Sequence, residues 1–472
     1  MYIIIAKKLK LTRIMLNYCK GSNPNFTIFK PVGISRLMNS TLSIFNMRYW
    51  MKKIVVFLNA LLLLASCASL KKQTKKEIEL TLNSDFFANQ FTGFLVVAAN
   101  TRDTIYNLNS TKYFTPASNT KIFTLFTALK SLPKKVPALR YLQQNDTLYF
   151  KGTGDPSFLH PYLRDSTAFK FLKKHKYLAF FADNFQDTAL GPGWSWDDFH
   201  WYYSPERSAF PIHGNVALIT NTPNKQVWPA YFKDSVVNEN YTFNRKQENN
   251  TFYFKTTRTD TLEVPFKTAT TTTKNLLESS LEKPVHLITK MPLGNIKTLS
   301  GIPLDSLYVK LMHESDNFIA EQLLLLSASE LTDTLNTQII RKHILANELA
   351  DLKQQPRWVD GSGLSRYNLF TPQSMVHVLH KLQKEIPQER LFSIFPAGGV
   401  SGTIANWYGN GKKPYIYAKS GSLGNNYCLS GYLLTNSGKV LLFSFMNNHF
   451  RHPSQEVKLR MKRVFETLRQ RY

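Results

Sequence analysis

Three short fragments, in fixed order, constrain this chain more than any other feature. They are Ser118-Asn119-Thr120-Lys121, Ser315-Asp316-Asn317 and Lys419-Ser420-Gly421. As patterns they read S-x-x-K, S-D-N and K-S-G. S-x-x-K alone carries little, because it also starts at Ser69, Ser131 and Ser280. S-D-N occurs once, just ahead of a strongly helical run, and K-S-G once, at the end of an apolar run. The three are far apart in sequence, so they act together only if the fold converges a helix start, an interhelix loop and a strand end.

The chemistry favours that convergence. Ser118 follows Phe114-Thr115-Pro116-Ala117, and Ile122, Phe123, Phe126 and Leu129 then recur at helical spacing. A helix starting near Pro116–Ser118 puts Ser118 and Lys121 on one face. It also puts the serine among free backbone N–H groups at the positive end of the helix dipole. A hydroxyl is a weak nucleophile and needs a base. Lys121 can serve once burial and a second cation, Lys419, favour its neutral amine. Ser315 can relay a proton to a leaving amine, and the Asn317 amide can bond both Lys121 and a substrate carbonyl. Gly421 lets a peptide lie along the strand as an added one. Lys419 and the Ser420 hydroxyl suit a substrate carboxylate, and the N–H groups of Ser118 and Ser422 suit an oxyanion. Taken singly, each fragment reads as a helix cap or a charged strand end.

Together the fragments form the motif set of class A β-lactamases and penicillin-binding proteins. The chain beyond about residue 85 resembles the class C low-molecular-mass penicillin-binding proteins, the D-alanyl-D-alanine carboxypeptidase/endopeptidase family. Further signatures carry the resemblance: Gly152–Pro156 (G-T-G-D-P), Gly193–Asp198 (G-W-S-W-D-D), Asp360–Ser365 (D-G-S-G-L-S) and Gly399–Thr403 (G-V-S-G-T). Two departures stand out. The family's K-T-G is K-S-G here, which keeps the hydroxyl. The interval from Lys121 to Ser315 is shorter than in larger members, whose insertion folds as two modules, so one module is expected to be reduced or absent. The resemblance implies an α/β (α+β) transpeptidase fold, an antiparallel sheet flanked by helices, with a β-rich inserted domain. It implies an acyl-enzyme on Ser118, peptidoglycan stem peptides as substrate and β-lactam antibiotics as covalent inhibitors.

Net charge is +27 over 472 residues. Ten of the Lys/Arg fall in residues 1–66, which hold no Asp or Glu. No nucleic-acid motif or compact basic run follows, so a basic surface facing an anionic envelope polymer is the better reading, and no nucleic-acid partner is expected. Met51-Lys52-Lys53 opens a secretion signal whose apolar core, Ile54–Leu64, is too short to prefer a membrane span. Leu64-Ala65-Ser66-Cys67 resembles a bacterial lipobox, with Cys67 the lipidated residue. Ala68 after it suits the outer membrane, facing the periplasm. Lipidation leaves Cys428 without a partner for a disulfide. The histidines show no H-E-x-x-H or other metal spacing, so no metal or cofactor is expected.

The expected organisation has residues 1–50 as an over-long start or extra leader, 51–66 as the lipoprotein signal and 67–80 as a polar tether. Residues 81–139 and 291–472 form the peptidase domain around a β-rich insertion, 140–290. Hairpins are predicted at Phe94–Ala99/Thr104–Leu108 and Cys428–Thr435/Lys439–Met446. Helices are predicted over Asn317–Ser327, Gln338–Leu345, Thr371–Leu382 and Ser454–Arg471, and the threonine run Thr268–Thr273 reads as a loop or edge. A β-lactamase is the first rival: it needs a deacylating carboxylate, for which Glu348 and Asp351 lie in a plausible region. A non-catalytic cell-wall-binding lipoprotein is the second, and the intact motif side chains argue against it.

Overall fold

A computed structural model describes Lys53, residues 72–409, Gly411 and residues 413–472. The leader, the signal segment and Cys67 lie outside the described residues. Residues 72–82, mostly within the expected tether, form helix α1, because Ile78 and Leu82 recur at helical spacing and are buried. Strands β1 (Phe91–Ala98) and β2 (Thr104–Leu108) form the predicted first hairpin. A 3₁₀ turn, Ala117–Thr120, leads into α2 (Lys121–Ser131).

Next come β3 (Lys135–Gln144), β4 (Thr147–Gly152), α3 (Thr167–Lys174), β5 (Tyr177–Phe181), α4 (Thr270–Leu281), β6 (Val285–Ile288) and β7 (Lys297–Pro303). These five strands make a mixed sheet, in the order β6-β5-β4-β3-β7. A smaller antiparallel sheet, Leu262–Pro265 with Val216–Thr220 and Gln226–Trp228, accompanies it. One correction falls here. The threonine run does not remain a loop, because α4 starts at Thr270. Thr268 is fixed by the Glu206 carboxylate at 2.7 Å, and Leu276, Leu277 and Leu281 bury the helix.

The chain then returns through α5 (Leu304–His313), α6 (Asn317–Thr332), α7 (Thr337–Ala346), α8 (Pro372–Glu385) and α9 (Gln388–Ile394). The α8 start is as predicted: the Thr371 hydroxyl accepts from Ser374 N at 3.0 Å, and Pro372 takes the first helical position. Strands β8 (Ile416–Leu423), β9 (Asn426–Leu434) and β10 (Val440–Asn448) and helix α10 (Ser454–Arg471) complete the chain. The first sheet is antiparallel throughout, in the order β8-β9-β10-β1-β2. It therefore joins both parts of the peptidase region.

Side chains alternate across this sheet. Cys428, Tyr432, Leu442 and Met446 face a core with Phe123 of α2, Leu323 of α6 and Leu379 of α8. Phe94, Val96, Phe443 and Phe445 face the other way, onto Met461, Val464, Phe465 and Leu468 of α10. The second sheet has a core of its own around Phe150, Phe180, Phe210 and Leu277. No helix among the described residues is long and apolar enough to cross a membrane.

Candidate active site

Ser118 stands in the 3₁₀ turn rather than in the α-helix, whose first residue is Lys121. The offset follows from Ala117, which has φ +48°, and from the Thr120 hydroxyl, which donates to Ala117 O at 2.9 Å. The turn is held against β8 from beneath. Asn119 Nδ2 donates to Lys419 O at 3.0 Å and to Cys428 O at 3.3 Å. Gly421 makes this approach possible, because a Cβ there would sit 2.6 Å from Pro116 O and 2.9 Å from Ser118 N.

Lys121 is fully buried. Its Nζ donates to Ser118 Oγ at 2.9 Å, Asn317 Oδ1 at 2.6 Å and Ser362 O at 2.6 Å. Burial lowers its pKa to about 8, against the opposing pull of Asp360, Asp316 and Glu321. Lys419, also fully buried, donates to Ser315 Oγ at 2.8 Å and to Ser420 O at 2.8 Å. Burial, then the nearby Lys121, hold it well below the usual lysine range. Each lysine thus holds a different serine hydroxyl.

The S-D-N loop joins α5 to α6. Asp316 caps α6, its Oδ1 accepting from Ile319 N at 2.8 Å. Ser315 takes a left-handed φ of +58°, a strained state for a serine, and thereby presents its hydroxyl to Lys419. Asn317 accepts from Lys121 and donates through Nδ2 to Tyr203 O at 2.9 Å.

Some of these groups border one cleft of about 930 Å³. Ser118, Ser315, Asn317 and Ser422 line it, whereas Lys121, Lys419, Ser420 and Gly421 do not. The Ser420 hydroxyl lies 2.6 Å from Thr403 Oγ1, and Thr403 does line the cleft.

Sequence reasoning missed several participants. The Ser362 carbonyl belongs to the D-G-S-G-L-S stretch. Thr403 belongs to the G-V-S-G-T turn. Glu321 is buried behind the site: its Oε1 accepts from Gly361 N at 2.9 Å and Ser362 N at 2.7 Å. Its other oxygen faces the buried Arg207, 3.4 Å away. Asp360 organises the rest of that loop, accepting from Gly363 N at 2.8 Å, Ser365 N at 2.6 Å and Trp194 Nε1 at 2.9 Å. The D-G-S-G-L-S stretch, read as a possible part of the active-site wall, and the G-V-S-G-T signature marked the segments of Asp360, Ser362 and Thr403 without giving these residues roles, and no signal marked Glu321.

Cys428 is a core residue, its thiol pushed up to about 12 by burial. No metal-holding cluster occurs among the described residues.

Ser118, Ser315 and Asn317 thus line the cleft, with the buried Lys121 and Lys419 bonded to them. The sequence profile of the D-Ala-D-Ala carboxypeptidase 3 (S13) family matches residues 74–292 and 295–468. The chain belongs to this family. It is accordingly a hydrolase, a D-Ala-D-Ala carboxypeptidase. The D-alanyl-D-alanine carboxypeptidase DacB of Haemophilus influenzae is 26% identical over 413 residues, covering 76% of this chain and 85% of that protein. The crystal structure of penicillin binding protein 4 (dacB) from the same organism matches the fold with a TM-score of 0.65 at 22% identity, covering 83% of this chain and 98% of that one. The same protein complexed with a β-lactam matches with a TM-score of 0.59 at 20% identity, covering 83% of this chain and 98% of that one.

Proposed function

We propose that this chain is a lipid-anchored serine D,D-peptidase of the cell envelope, cleaving peptidoglycan stem peptides through an acyl-enzyme on Ser118. One observation carries the assignment of roles: Lys121 Nζ lies 2.9 Å from Ser118 Oγ while Lys419 Nζ lies 2.8 Å from Ser315 Oγ. Neutral Lys121 takes the Ser118 proton as Oγ attacks the carbonyl between two D-alanines. The oxyanion is received by the N–H groups of Ser118 and Ser422. Ser315, polarised by Lys419, passes a proton to the leaving amine, and water then releases the acyl group. The Ser420–Thr403 hydroxyl pair, beside Lys419, takes the terminal carboxylate. A D-Ala crosslink offers the same carbonyl and a carboxylate beside it, so endopeptidase action uses the same groups.

The Haemophilus relative carries the name D-alanyl-D-alanine carboxypeptidase, and its homologous structure has been solved with a β-lactam; both support this reading. The two carboxylates named for the β-lactamase alternative lie elsewhere. Glu348 pairs with Lys130 at 3.2 Å, and Asp351 with Lys381 at 3.1 Å and His377 at 3.1 Å; neither borders the cleft.

The experiment is incubation with labelled penicillin and location of the adduct by peptide mass. A long-lived adduct on Ser118, absent from Ser118→Ala, is the expected result. An adduct at Ser131 or Ser280 overturns the assignment, and rapid penicillin turnover favours the lactamase. The anchor is tested separately. The mature chain should carry a diacylglyceryl mass on Cys67 and enter the detergent phase, and Cys67→Ala should do neither.

A further inference from the structure

Arg207 belongs to the region between Lys121 and Ser315, and its side chain is fully buried. A buried guanidinium has to place five N–H donors. Here Nε donates to Thr188 O at 3.0 Å, and Nη2 to Thr188 Oγ1 at 3.0 Å, Asp187 Oδ1 at 3.2 Å and Leu190 O at 3.3 Å. Nη1 donates to Thr337 Oγ1 at 3.3 Å and to Glu321 Oε2 at 3.4 Å. Asp187 is itself fixed, its Oδ2 accepting from Thr337 N at 2.8 Å and Thr337 Oγ1 at 2.6 Å. The fork is thus fastened to residues 187–190 and to the first residue of α7, and one nitrogen is left for Glu321.

Glu321 divides its carboxylate between Arg207 and the Asp360–Ser365 loop. While Oε2 faces the guanidinium, Oε1 accepts from Gly361 N and Ser362 N. The next N–H, that of Gly363, is held by Asp360 Oδ1. In a planar trans peptide the N–H and C=O point opposite ways, so this bond directs the Ser362 carbonyl away from Asp360, toward Lys121 Nζ at 2.6 Å. The loop is also pressed against the nucleophile's turn, because a Cβ on Gly363 would sit 2.0 Å from Ala117 O. A second line runs from Arg207 to the same loop. Its guanidinium lies 5.9 Å from the centre of the Trp194 ring, whose Nε1 is bonded to Asp360.

Stability alone is a poor reason for such a pair, since well-packed apolar residues often replace a buried ion pair at no loss. What apolar residues lack is an ionised acceptor held in one orientation. Burial, with Asp360 nearby, pushes the Glu321 carboxyl up to about 6, and Arg207 opposes that rise. We infer that Arg207 is a positioning residue for the catalytic base: acting through Glu321, its fork orients the Gly361–Ser362 peptides and so seats the Ser362 carbonyl on Lys121. The inference rests on the peptidase reading above and deepens it.

The experiment follows acylation by labelled penicillin as a function of penicillin concentration. It yields the acylation rate constant and, separately, the dissociation constant of the complex that precedes it. Both are read on the high-pH plateau of each chain's profile, where differences in Lys121 protonation drop out. Arg207→Met leaves the Glu321 carboxylate buried without its cation, which drives it to re-seat. The acylation rate constant should fall about ten- to a hundredfold, as expected for a displaced base, while the dissociation constant stays within about twofold. In Glu321→Gln, whose neutral amide needs no cation, adding Arg207→Met should cost less than about threefold. Native acylation in Arg207→Met overturns the inference, and so does an equal loss in both backgrounds, because Arg207 would then act by another route. A loss confined to the dissociation constant overturns it as well. Should Arg207→Met fail to fold, Arg207→Lys carries the test, since it keeps a cation but not the fork. Slower acylation at native binding, absent in the Glu321→Gln background, supports the inference, and native acylation overturns it. A native chain that forms no adduct overturns the peptidase reading and this inference with it.

Discussion

At the scale of single residues, the decisive quantity is the charge on Lys121. Its pKa of about 8 means that the amine is mostly protonated at neutral pH and neutral above pH 8. Acylation by penicillin should therefore rise with pH and level off beyond about pH 8, and a flat profile between pH 6 and 9 would remove Lys121 from the base role. Lys121→Arg keeps a cation that no usable pH neutralises, so acylation should fall to less than about a tenth of native. Glu321 supplies a finer test. It is one of three acids that hold Lys121 protonated, and it also pins the Gly361–Ser362 peptides. Glu321→Gln retains an oxygen for those two N–H groups but removes the charge. The midpoint of the pH profile should move down by roughly half a unit; an upward move would contradict the electrostatic account. These residues also show what a sequence exposes. Ser118, Lys121, Ser315, Asn317 and Lys419 were legible as candidates because the proposed chemistry needs such side chains and they stand in fixed patterns. The Ser362 carbonyl was not, because a backbone acceptor leaves no trace in residue type. Glu321 was not, because a buried acid in a leucine-rich helix resembles any helical glutamate until Arg207 and the loop N–H groups surround it.

At the scale of elements, the site depends on how closely β8 approaches the 3₁₀ turn. Strand β8 was readable from the run Tyr415–Ala418 ahead of K-S-G, and β9 with β10 as apolar runs about the Asn436-Ser437-Gly438 turn. The 3₁₀ turn was not, because helical spacing of apolar residues does not separate a tight first turn from an α-helix. Its conformation is set by Ala117 at positive φ and by Asn119 reaching across to β8. Gly421→Ala should force the two apart by some tenths of an ångström. We expect about 1–3 kcal/mol of lost stability from overpacking. Acylation should slow by a larger factor, on the order of a hundredfold, because the nucleophile and the Ser422 N–H would no longer share one register. Measuring both urea unfolding and acylation separates the two effects, and a variant with native acylation would show that the approach is not required. The Ser420–Thr403 pair belongs to the same interface. Ser420→Ala removes one hydrogen bond to a substrate carboxylate, and D-Ala release should slow about ten- to a hundredfold while Ser420→Thr stays close to native.

At the scale of the whole molecule, the second sheet is tied to the helix that carries Asn317. Arg140 on β3 and Lys151 on β4 both reach Asp333, the left-handed residue closing α6, and Arg140 also donates to Ser329 O at 2.8 Å. The region between Lys121 and Ser315 is therefore not a loose appendage: its sheet grips the far end of α6, whose near end lies in the active site. Neither partner was identifiable from sequence, because lysines and arginines on strands are ordinarily solvated and only the folded topology brings them to the end of α6. The Lys151 side chain is 6% exposed and the Asp333 side chain 44%. Removing the acid thus strands a buried cation, whereas the acid itself is half solvated and its attraction is correspondingly discounted. Asp333→Asn preserves the left-handed conformation that asparagine tolerates. It should cost about 1–3 kcal/mol in urea unfolding. Lys151→Met in the same chain removes the stranded charge while keeping an unbranched side chain of similar length, and it should recover most of the loss. Penicillin acylation gives the functional readout. If the grip positions α6, Asp333→Asn should slow acylation several-fold and the double variant should restore only part of it, because Arg140 keeps Glu330 and Ser329 O but still lacks its ion pair with Asp333. Equal acylation in all three chains would mean that the second sheet stabilises the fold without setting the geometry of Asn317.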